Sequence, residues 1–127
     1  MKVRELRCDG CSGPGAVWEH PCADFEWDAA QSPDKRRASW GSWIFCEACH
    51  RRVEAGRVFG LADRSARALA RKHGLGRGYV HGLREQVLAA QAPFWQHQRG
   101  MPRRLTDDRR RRLEMLPEEF TDTTELG

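Results

Sequence analysis

The spacing of hydrophobic positions changes partway along this chain, and the change predicts its elements. Ala16-Val17-Trp18-Glu19-His20 is a short strand-like run closed by Pro21. Phe25 and Trp27 stand two apart, which puts both on one face of a second short strand. Residues 29–39 are a polar loop, and Trp40 to Phe45 form an apolar aromatic run leading into Cys46. From Glu47 the period is helical, and Glu47 to Ala55 reads as a helix stopped by Gly56.

Three further helices are predicted. The first runs from about Leu61 to Lys72, with Leu61, Ala62, Ala66, Leu69 and Ala70 at helical spacing and Gly74 as terminator. The second spans about Tyr79 to Gln91, with Tyr79, Val80, Leu83, Val87 and Leu88 on one face; Pro93 ends or kinks it before Phe94 and Trp95. The third starts at Thr106, whose hydroxyl caps it, has Asp107 and Asp108 in its first turn, and ends near Leu116 before Pro117. The end of the chain, Thr121 to Gly127, has the composition of a disordered tail.

A chain of 127 residues with 39% hydrophobic positions and a mean hydropathy of −0.75 has little apolar core to stabilise it. A metal site is a common remedy in so small a unit. No stretch approaches the ~18 consecutive apolar residues of a membrane span. Met1 to Arg7 contain no apolar signal-peptide core, so a cytoplasmic location is expected. In a reducing compartment, closely paired cysteines are metal ligands rather than disulfides.

Two Cys-x-x-Cys pairs, Cys8/Cys11 and Cys46/Cys49, are separated by 34 residues. Each two-residue turn lets both thiolates of a pair reach one ion, and two pairs complete a tetrahedron. Four protein thiolates leave no position for a reacting water, so the ion expected here is one structural Zn²⁺. The predicted fold is α+β. It consists of a small treble-clef-like zinc-binding unit over residues 1–57 (knuckle, β-hairpin, helix), an Arg-rich extension of about three helices over 58–117, and an acidic flexible tail over 118–127. Cys22 has no close cysteine partner and reads as a small semi-buried hydrophobe.

Part of this pattern resembles HNH-type endonucleases, which carry a metal scaffold of the same kind. Glu19-His20 stands where those enzymes carry an acidic residue and a general-base His, and His50 follows Cys49. In a nuclease His20 and His50 would be the catalytic pair, acting with a Mg²⁺-type ion. The chain has no Asn, the acidic residue is Glu rather than Asp, and arginines follow His50 where a lysine is usual. The bland alternatives are a strand histidine near the knuckle for His20 and an exposed first-turn residue for His50. A non-enzymatic role is preferred.

A closer resemblance covers about the first half of the chain. Cys8, Cys11, Val17, Trp18, Pro21, Asp24, Phe25, Trp43, Cys46, Cys49, Val53, Glu54, Ala55 and Gly56 are similar to the pattern of a group of small uncharacterised actinobacterial and actinophage proteins. The resemblance implies a zinc-stabilised fold and no particular activity. It does not extend to the arginine-rich region after Gly76.

The net charge of +4 is unevenly spread. Residues 1–50 hold 6 basic and 8 acidic side chains, residues 51–112 hold 16 and 5, and residues 113–127 hold five acidic and no basic ones. Seven arginines (Arg99, Arg103, Arg104, Arg109, Arg110, Arg111 and Arg112) fall within fourteen residues, with Trp95 close by. Such a cluster suits phosphate contact, and equally a solvated helix balanced by Asp107, Asp108 and Glu114. An Ala- and Gly-rich, Asn-free composition also suggests a GC-rich gene, which favours arginine regardless of function. The function expected is a zinc-stabilised module contacting nucleic acid or a nucleic-acid-associated protein through these arginines and Trp95. The alternatives are a degenerate HNH-like nuclease, or an adaptor or inhibitor docking on an acidic surface of transcription or translation machinery.

Overall fold

Pro21 at one end and a knuckle at the other confine the first strand to five residues, β1 (Ala16–His20). Its partner is β4 (Trp43–Cys46), antiparallel, with Trp18 opposite Phe45, Glu19 opposite Ile44 and His20 opposite Trp43. These details come from a computed structural model that describes residues 5–26, 38–39 and 41–115. Between the paired strands lies a two-stranded ribbon, β2 (Phe25–Glu26) with β3 (Ala38–Ser39). Trp27, Trp40, most of the predicted polar loop and the predicted acidic tail fall outside the described residues. A fifth strand, β5 (Arg103–Arg104), pairs with the free edge of β1 and gives a three-stranded sheet ordered β4-β1-β5. That strand was not predicted, because two arginines carry no β signal.

All four residues of β4 are buried. The reason is that both of its faces are covered, which a continuous apolar run requires. Trp43 and Phe45 face the main core with Phe25, Val53, Leu61 and Phe94, whereas Ile44 joins Leu6 and Ala16 in a smaller cluster closed by Leu105 and Leu113. Leu61 and Phe94 come from the helical extension, so a single core unites it with the cysteine-bearing segment.

Helix α1 (Glu47–Glu54) follows β4 directly and stops at Gly56, whose φ of 68° is in the left-handed region that favours glycine. Helix α2 (Val58–Lys72) begins three residues earlier than its apolar spacing indicated and buries Leu61, Ala62, Ser65, Ala66 and Ala70. A 3₁₀ turn at Arg77–Tyr79 leads into α3 (Val80–His97), which packs on α2. Pro93 lies inside α3 and does not end it. The proline forfeits one backbone hydrogen bond at a cost of about 3 kcal/mol. Continuing the helix seats Phe94, fully buried, 4.7 Å from the Trp43 ring and 5.4 Å from Phe45. Full burial of such a ring contributes ~1.5–3 kcal/mol, and the aromatic contacts add to it. The predicted apolar face of this helix also shifts. Val87, Ala90, Gln91 and Phe94 are the buried positions, while Tyr79 is 61% exposed.

Helix α4 (Asp107–Met115) starts as predicted, with the Arg109 amide donating to the Thr106 hydroxyl at 3.1 Å. It is held to the sheet by charge. Glu19 is 1% exposed, and its carboxylate accepts from Arg103 at 3.3 Å and from Arg109 at 2.8 Å. Burial alone would raise the Glu19 pKa. Hydrogen bonds from Arg109 and Ser42, with the charges of Arg109 and Arg103, outweigh it and hold the carboxyl below its usual range.

A depressed folded-state pKa stabilises the fold above the carboxylate range, and the contribution is lost as pH falls through the depressed value. Replacing Glu19 by Gln therefore loosens α4 and costs about 1–3 kcal/mol at pH 7, the range for buried charge-assisted hydrogen bonds. Urea unfolding of parent and variant measures this. The gap between them should close in acid, and protease cutting between β5 and α4 should quicken in the variant.

Candidate metal centre

The chain around Cys8 is folded tightly before any metal is considered. The Ser12 amide donates to the Cys8 carbonyl and the Cys8 amide to the Gly13 carbonyl, both at 2.9 Å, and Ser12 takes a φ of 61° to close the loop. Asp9 fastens this knuckle to β4: its amide donates to the Ile44 carbonyl at 2.7 Å, and its carboxylate accepts from the Ile44 amide at 2.8 Å. Gly10 lies against the second pair, since a Cβ there would sit 2.8 Å from the Cys49 sulfur. Only glycine lets the knuckle backbone approach so closely.

Cys46 is the N-cap of α1 and Cys49 lies in its first turn. The ligand atoms of Cys8, Cys11, Cys46 and Cys49 all lie within 4.8 Å of one another, and the Cys11 and Cys46 sulfurs are 3.8 Å apart. A tetrahedron with ~2.3 Å metal–sulfur bonds has edges of about 3.8 Å, so the spacing suits one ion and excludes a disulfide. The four cysteines are thus a metal-binding cluster in donor type and geometry, consistent with a structural zinc.

Groups around the sulfurs favour thiolate. The Gly10 and Cys11 amides point at the Cys8 sulfur at 3.3 and 3.4 Å. Arg64 of α2 spans the cluster, with Nε 3.3 Å from the Cys49 sulfur and one terminal nitrogen 3.9 Å from Cys46 and 4.0 Å from Cys11. Burial would raise the Cys46 pKa. The Cys49 amide and thiol, Arg64 and Cys8 donate to its sulfur and bring it down to about 7. Cys8 moves the other way, raised by hydrogen bonding to Cys49 and by burial. Four thiolates around a divalent ion carry a net charge of −2, and the Arg64 guanidinium offsets part of it. The sequence gives no hint of this role, because Arg64 is fifteen residues beyond Cys49 among other arginines.

His20 and His50 do meet. Nε2 of His20 lies 2.9 Å from Nδ1 of His50, and the Trp18 ring stacks on His50 with centroids 3.8 Å apart. His50 is buried, not the exposed first-turn residue expected, because Trp18 of the neighbouring strand covers it. Burial, and the charge of His50, lower the His20 pKa to about 4, so His20 is neutral at pH 7. Cys22 is buried in the main core, away from the sulfur cluster, with its thiol pushed up to about 11 by burial.

The seven clustered arginines have different surroundings. Arg103 and Arg109 hold Glu19; Arg104 lies 5.2 Å over the Trp18 ring; Arg110 donates to the Ala16 carbonyl; Arg111 pairs with Asp108 at 2.8 Å. Arg99 and Arg112 are exposed and form no ion pair with another described residue. Trp95 is partly buried against the main core, with its indole N–H unpaired among the described residues.

Cys49→Ser should leave less than one bound metal per chain and lower thermal stability sharply, since a structural site contributes folding free energy directly. Arg64→Ala should keep the metal but release it to a chelator about tenfold faster, the size expected for loss of an outer-shell partner. Metal content and the rate of chelator-driven release measure both, and Arg64→Lys should recover only part of the parent rate. A scan against protein-family models and searches of curated proteins and solved structures find no match to this chain.

Proposed function

We propose that this protein is a non-enzymatic, zinc-stabilised binding module that contacts nucleic acid. The zinc unit is of treble-clef type, with a knuckle, the β1–β4 pair and a helix that begins at the second cysteine pair. The supporting observation is that four sulfurs lie close enough together to bind one ion, a donor set that leaves no open position for water and so favours a structural over a catalytic metal. The contact is suggested by the excess of 16 basic over 5 acidic residues in 51–112, most of it arginine. Binding of this kind is sequence-tolerant and strongly salt-dependent.

The test is metal analysis together with nucleic-acid co-purification on one untagged sample prepared without nuclease. One zinc per chain with nucleic acid that salt releases is the outcome expected. One zinc with no nucleic acid, and no binding to added duplex at low salt, would contradict the contact and turn the search to an acidic protein surface.

A metal-dependent nuclease is the second reading, and the His20–His50 pair favours it. Against it, both imidazoles are buried and the Glu19 carboxylate is already held by two arginines. The binding reading predicts no duplex cleavage with Mg²⁺ or Mn²⁺. Cleavage that disappears in His20→Ala would establish the nuclease instead.

A further inference from the structure

Between Asp63 and Glu85 the chain carries six basic residues and no acidic one. This stretch is the second half of α2, the connection to α3 and the first turn of α3. Its charge is displayed differently from that of the later arginines. Every residue from Arg71 to Tyr79 is exposed, and Arg71, Lys72 and Arg77 form no ion pair with another described residue. Asp63, which precedes the stretch, is shared by two other arginines, Arg67 at 2.8 Å and Arg84 at 3.2 Å.

Two more features suit a nucleic-acid backbone. Tyr79, two residues after Arg77, is 61% exposed, and an exposed aromatic ring is the kind of group on which bases stack. Gly76, Gly78 and Gly82 have nothing within 4 Å of where a Cβ would stand, so an extended ligand can approach the main chain there. By contrast Arg103 and Arg109 hold the buried Glu19 carboxylate and Arg110 the Ala16 carbonyl, partners that binding would have to displace.

We propose that the nucleic-acid contact of this protein is the α2–α3 connection, with Arg71, Lys72 and Arg77 on phosphates and Tyr79 against a base or sugar. The proposal rests on the nucleic-acid reading above and names its surface. The complementary assignment is that Arg103 of β5 and Arg109 and Arg110 of α4 hold the fold.

The experiment measures binding of the full chain, with its metal content checked, to a fluorescein-labelled mixed-sequence 30-base-pair DNA duplex between 50 and 200 mM NaCl. Each lost phosphate contact removes roughly 0.9 from the slope of log affinity against log salt, so Arg71→Ala/Lys72→Ala/Arg77→Ala should lower it by about 2.7. Gly78→Glu is the second variant. It adds a negative charge in open space, removes no existing side-chain contact, and should weaken binding by about tenfold or more at 50 mM salt. Arg111→Ala/Arg112→Ala should bind like the parent. Helicity by circular dichroism and metal content should be unchanged in all three. Parent-like binding and salt slope in the triple variant would overturn the assignment and leave the nucleic-acid reading standing, whether or not Arg111→Ala/Arg112→Ala loses affinity. A parent chain that does not bind the duplex even at 50 mM salt would overturn both.

Discussion

Four sulfurs within 4.8 Å of one another join the knuckle to the end of β4 and the first turn of α1. Cys8 and Cys11 belong to a loop preceded, among the described residues, by one buried apolar side chain, Leu6, while Cys46 and Cys49 end a strand and begin a helix. The knuckle is shaped in advance by its own backbone bonds and by the exchange between Asp9 and Ile44, which lowers the entropy lost when the cluster closes. The main core grows outward from there, since Cys8, Cys46 and Cys49 are members of the same cluster as Phe45, Leu61 and Phe94. Helix α2 returns the contact through Arg64, so the helical extension is tied to the sulfurs electrostatically as well as by packing.

A second anchor, Glu19, is polar and lies on the same strand as His20. A carboxylate buried this completely persists only when it is paired, and both partners come from the far end of the described chain. One strand therefore organises three things at once: the Trp18–His50 stack over α1, the His20 contact with Phe45 in the core, and the ion pairs that hold β5 and α4. That economy changes the meaning of the arginine run. Three side chains that in isolation look available for phosphate, Arg103, Arg109 and Arg110, hold groups of β1, whereas Arg71, Lys72 and Arg77, at the end of α2 and in the connection to α3, form no ion pair with another described residue.

Local signals were readable in the sequence where a local cause existed: Gly56 ends α1 and Thr106 caps α4, each through residues a few positions apart. The two Cys-x-x-Cys turns are far apart in the chain, and their meeting was legible only from the shared ligand chemistry of the two pairs. Pro93 misled, because the burial of Phe94 against Trp43 is a tertiary reward that helix propensity does not contain. The partners of Glu19 lie 84 and 90 residues away, so neither β5 nor the inward turn of Arg109 left a trace in any window of sequence. Arg64 and the burial of His50 escaped for the same reason: each depends on which side of a helix faces a neighbour that only the fold supplies.

Sulfur-only coordination of a single ion is the claim on which the account stands, and X-ray absorption at the zinc edge of the purified full chain tests it most directly. The account predicts one zinc per chain with four sulfur neighbours at about 2.3 Å and no nitrogen or oxygen in the shell. A shell containing histidine nitrogen or water oxygen, or a chain that folds with no metal, would contradict it.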